Sequence, residues 1–78
     1  MANMDAMVTH PLTQFRSFAS LSRAELAGIV GTSRQTIHRI ENGSQTPSLA
    51  LVRRLLKAAK DRGMELRADD FLIEREAA

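Results

Sequence analysis

No cysteine occurs among the 78 residues. Neither a disulfide framework nor a thiolate metal site can therefore be built, and a reducing compartment is the natural setting. Histidine is scarce as well. His10 and His38 are the only two, far apart and without a nearby set of carboxylate ligands, so no metal site is expected. No apolar run approaches the roughly 20 residues of a membrane-spanning helix, and no membrane partner is expected. The opening residues 1–7 lack a basic stretch followed by an apolar block, so no secretory leader is expected and the cytoplasm is the expected location. Catalytic groupings are missing too: no Ser/His/Asp arrangement, glycine-rich phosphate loop or paired-carboxylate cleft is apparent. The chain is short for a deep pocket beside its core. Neither an enzyme nor a cofactor is expected.

A chain of this length makes one small domain, burying only about 60% of the surface that its unfolded form exposes. Such a core is marginal, and a partner subunit would help it. The net charge is +2, unevenly spread. Residues 1–60 carry eight Lys/Arg against three Asp/Glu, and residues 61–78 carry three against six. A basic body suits phosphate binding, with the acidic end directed elsewhere. Acidic C-termini also serve solubility alone.

The most informative stretch is 21–43. Ser22-Arg-Ala-Glu25 is a capping box, in which a serine hydroxyl and a glutamate satisfy free N–H groups at a helix start. Ser33 offers a second N-cap, and Gly43 sits where a helix commonly ends in a left-handed residue. Gly31 separates the two halves and can take a positive φ without penalty. Taking Arg34 as origin and advancing about 100° per residue, His38 falls near 40°, Gln35 near 100° and Arg39 near 140°. Ile37 and Ile40 fall on the opposite side, near 300° and 240° on the same scale. Arg pairs bidentately with guanine and Gln with adenine in the major groove. An apolar stripe behind an Arg/Gln arc is what a groove-reading helix needs, and it is also what any amphipathic helix with a solvated face would show.

Spacing across the whole segment bears on that choice. Counting Arg23 as first, the fifth residue is Ala27, the ninth Gly31, the fifteenth Ile37 and the eighteenth Ile40. A small fifth residue lets two helices approach, a glycine at the ninth makes the turn, and the isoleucines anchor the second helix. The pattern closely resembles the helix-turn-helix of the Cro/CI-type (Xre-like) phage-repressor family. The likeness continues through Ile-Glu-Asn-Gly at 40–43 and Thr-Pro-Ser-Leu at 46–49, covering roughly residues 12–60. It implies an all-α fold, a compact domain of four to five helices.

The remaining elements read in order. Residues 1–10 form an expected flexible arm. His10-Pro11 marks a helix start, because proline restrains the residue before it and is welcome at the first helical position. That helix spans about 11–19, with Leu12, Phe15 and Ala19 on one face, Phe18 at its edge and Arg16 beside the apolar side. In the helix at 23–30, Leu26, Ile29 and Val30 are expected to face the core. Another helix runs from 48 or 49 to 61, with Leu49, Val52, Leu56 and Ala59 as its stripe, widened by Leu51 and Leu55. Arg53, Arg54, Lys57 and Lys60 make its other face basic, which suits either a solvated helix or auxiliary DNA contact. In 64–78, Asp69-Asp70 before Phe71 could start a fifth helix, whereas the alternation of Met64-Glu-Leu-Arg67 suits a short strand.

The expected organisation is an arm (1–10), a helix-turn-helix domain (11–62, motif 23–42) and a C-terminal extension (63–78) that could dimerise. By the resemblance, Arg34, Gln35, His38 and Arg39 read bases of double-stranded DNA, His38 the weakest candidate. Arg23, Ser33, Asn42, Ser44 and Gln45 hold phosphate, although an Asn-Gly turn and an exposed arginine need no function. The resemblance also pairs Arg16 with Glu41 as a largely buried ion pair. The function implied is a bacterial or phage repressor acting as a homodimer on a palindromic operator. The rival is an antitoxin-like module that neutralises a partner protein, a toxin, and binds DNA secondarily.

Overall fold

The computed structural model describes residues 9–71. Four helices follow one another: α1 (Pro11–Ala19), α2 (Arg23–Val30), α3 (Arg34–Glu41) and α4 (Leu49–Asp61). Helical structure begins again at Asp69, and among the described residues there is no strand. The expected N-terminal arm up to residue 8 and the end of the chain beyond Phe71, including Leu72 and Ile73, lie outside the described residues.

Each helix starts where a side chain can accept a free N–H. His10 Nδ1 accepts from Leu12 N at 2.9 Å, and Pro11 occupies the first position, where a missing donor costs nothing. Ser22 and Glu25 complete a reciprocal capping box at 3.0 and 2.8 Å. Ser33 and Ser48 cap α3 and α4 through Thr36 N and Leu51 N. The helices stop alike. After α3, Gly43 at φ +82° lets its own N–H reach Ile40 O and the Ser44 N–H reach Arg39 O, the paired closure that recovers two orphan carbonyls. Ser20 is the exception in residue type, a non-glycine at φ +58°.

All four helices contribute to one core. Leu12 and Phe15 of α1, Leu26, Ala27 and Val30 of α2, Ile37 and Ile40 of α3, and Leu51, Val52, Leu55, Ala58 and Ala59 of α4 are buried. Two of the expected core residues are displaced. Ile29 is 43% exposed while Ala27 is buried, because the face centred between Leu26 and Ala27 leaves Ile29 about 110° away. The α4 stripe turns the same way: Ala58 joins the buried arc, Leu49 is 61% exposed and Leu56 only partly buried. The alternation at 64–67 is real but forms no strand. Met64 is partly buried and Leu66 buried, Glu65 and Arg67 are exposed, and among the described residues no strand pairs with the segment. Phe71 closes the core against His10, with ring centroids 5.7 Å apart.

Candidate nucleic-acid interface

The site is built on α2, the turn at Gly31 and α3. Gly31 adopts φ +76°, and the Thr32 N–H returns to Ala27 O at 2.9 Å. A bulkier residue at 27 would strain the packing around it, since Ala27 is only 3% exposed. Ile37 and Ile40 are buried to 0% and 1%, which fixes the rotation of α3 about its axis. That rotation leaves Arg34, Gln35, His38 and Arg39 exposed together. Glu41, the one carboxylate of the helix, turns inward.

Arg23, Arg34, Gln35 and His38 together line a cleft of about 540 Å³. Arg39 lies outside that cleft, on the side of the following loop. Its backbone carbonyl accepts from Ser44 N (2.9 Å), Gln45 N (3.3 Å) and Ser44 Oγ (3.4 Å). The loop 42–45 is thereby folded onto the last turn of α3. Within the loop, Asn42 Oδ1 accepts from Ser44 N at 3.0 Å and Ser44 Oγ at 2.5 Å. Asn42 Nδ2 faces His38 Nε2 at 3.5 Å, and the Gln45 side chain is exposed. Ser33 Oγ accepts the α3 cap and donates to Thr36 Oγ1 at 2.9 Å. In the free protein the hydroxyl protons of Ser33 and Ser44 are therefore spent inside the chain.

Behind this face lies a three-membered ion cluster. Arg16 Nε and Nη2 donate to the two oxygens of Glu41 at 2.6 and 3.2 Å, a bidentate pair. Arg16 Nη1 also donates to Leu21 O at 3.1 Å. Arg23 Nε donates to Glu41 Oε1 at 2.9 Å. The Glu41 side chain is 4% exposed, that of Arg16 17% and that of Arg23 40%. Burial pushes the Glu41 carboxyl up, but the hydrogen bonds from Arg16 and Arg23 outweigh it and hold the group below its ordinary value of 4.5. The tie to Arg23 has no counterpart in the sequence, where that residue reads as a phosphate contact or as an exposed arginine. Nothing in periodicity joins the first residue of α2 to the last of α3; only the turn between them does.

The basic face of α4 is partly occupied by internal partners. Arg54 Nη1 donates to Val30 O at the end of α2 (3.4 Å), and Lys57 pairs with Asp61 at 3.3 Å. A cation at a helix C-terminus is favourable there, so Arg54 helps to close α2.

Comparison with known proteins gives a consistent picture. The family described as "Helix-turn-helix domain" matches residues 10–68. A protein of Methanothermobacter thermautotrophicus, described as an uncharacterized HTH-type transcriptional regulator, is 36% identical over 67 residues, covering 86% of this chain and 93% of that protein. No solved structure matches significantly.

Proposed function

The chain belongs to the helix-turn-helix domain family, and from that premise we propose that it is a sequence-specific regulator of transcription that inserts α3 into the major groove of double-stranded DNA. One observation carries the reading: four side chains able to donate to base edges or phosphate share the outward face of a helix whose other face is fully buried. Arg34, Gln35 and Arg39 read base edges, with His38 beside them. Arg23, Asn42 and Gln45 hold the sugar-phosphate backbone, setting register without reading sequence. Ser33 and Ser44 adjoin them, each exchanging one internal hydrogen bond for a phosphate contact on DNA.

The proposal extends to the Cro/CI-type mode of action. Two copies bind a near-palindromic operator with half-sites about 34–36 Å apart, one DNA turn. Occupancy of an operator that overlaps a promoter excludes polymerase and represses. A small core and the exposed Phe18 support a second subunit, and residues from 63 onward are the proposed contact. Selection of bound sites from random duplex DNA at two salt concentrations tests all of this. A symmetric motif is expected; purely non-specific binding with a steep salt dependence would refute sequence-specific regulation.

A further inference from the structure

The cluster at Glu41 holds two guanidinium groups against one carboxylate. Its surplus positive charge lies on the more exposed arm, Arg23. Every nitrogen of Arg16 is engaged: Nε and Nη2 serve Glu41, and Nη1 serves Leu21 O. Arg23 spends only Nε on Glu41 and keeps both Nη nitrogens uncommitted among the described residues. Arg23 lines a cleft together with Arg34, Gln35 and His38, and among the described residues no carboxylate lines it. A planar guanidinium fixed through Nε presents its Nη pair in one direction, and that fork matches two oxygens of a phosphodiester.

We infer that Glu41, reaching the surface through Arg23, is the positioning residue of the seat in which Arg23 holds one backbone phosphate, as well as a partner of Arg16 in the fold. The inference rests on the reading of α3 as a DNA-binding helix. Removing the negative charge of Glu41 raises the net positive charge of the domain, and long-range attraction alone would then tighten DNA binding. Positioning says the opposite: Arg23 loses its anchor and binding weakens.

Affinity for a short random-sequence duplex is measured over a salt series, with far-UV circular dichroism confirming that each variant is folded at the working temperature. Arg23→Gln is expected to weaken binding about tenfold and to lower the slope of log K against log salt by about one. Arg23→Lys keeps the charge, but a single ammonium cannot serve Glu41 and phosphate in one fixed geometry. It is expected to bind several-fold more weakly with a nearly unchanged slope. Glu41→Gln is expected to weaken binding about threefold or more in the native background and not at all in the Arg23→Gln background. A purely structural Glu41 would produce the same change in both.

The inference is overturned if folded Glu41→Gln binds as tightly as the native protein or tighter, or if Arg23→Gln leaves the slope untouched. Should Glu41→Gln fail to fold, the two Arg23 variants decide: equal affinity of Arg23→Lys and the native protein overturns it. A native protein that binds no duplex sinks the proposed function together with this inference. Native binding with the wrong response from the variants sinks the phosphate seat alone.

Discussion

Replacing Glu41 by alanine strands two guanidinium groups at once, and the structure sets the size of the penalty. Removing one partner of a buried ion pair typically costs about 3–5 kcal/mol, most of it from the charge left behind. Here the lower end applies. Arg16 is nearly buried but retains its bond to Leu21 O, and Arg23 is exposed enough to recover water. A loss of about 3 kcal/mol in a domain of this size lowers Tm by about 12–24 °C. Glu25→Ala is the matched control, because Glu25 is exposed and, among the described residues, its carboxylate serves only the capping box at Ser22 N. That change is expected to cost less than about 1 kcal/mol. Thermal melts at neutral pH, followed by far-UV circular dichroism, compare the two. Similar small shifts would refute the view that Glu41 is a buried hub of the fold.

Acid dependence follows from the same group. Its folded pKa is depressed, so its contribution is present above the unfolded value and is lost as pH falls through the folded one. The stability difference between the native protein and Glu41→Gln should therefore be constant near neutrality and shrink below pH 4.5; chemical denaturation across that range measures it, and a constant difference would contradict the assignment. Gly43→Ala is expected to cost about 1–2 kcal/mol from its left-handed backbone alone, since nothing lies within 4 Å of the added methyl. Gly28→Ala, in open space inside α2, should instead stabilise by about 0.5–1 kcal/mol; denaturant midpoints of the pair check both signs. On the selected operator, Arg39→Ala should relax preference at one base position by about 1–3 kcal/mol, whereas Asn42→Ala should weaken all sequences alike.

The helices were legible because local chemistry marks their ends. Serines at 22, 33 and 48, proline at 11 and glycines at 31, 43 and 63 are short-range signals, and each acts within a turn of itself. Helix rotation was less legible. Ile29 is left exposed because the direction of the neighbouring helices, which periodicity in one segment does not contain, decides which side of α2 is inward. Leu66 illustrates the same limit from another side. Alternation signals an extended segment with one buried edge, but a strand also needs a partner, and none pairs with it among the described residues. At the site, the exposed arc of α3 could be drawn from the wheel alone. The bond from Arg23 to Glu41 could not, because it spans the turn and depends on the angle at which α2 meets α3.

Entry of the outward face of α3 into the duplex is checked by amide chemical-shift changes on titration with the selected operator. The largest changes are expected over residues 34–39, with further changes at Arg23 and through the 42–45 loop, and little change along α4. Silence at 34–39 with strong shifts at Arg53, Lys57 and Lys60 would show instead that the basic face of α4 carries the DNA.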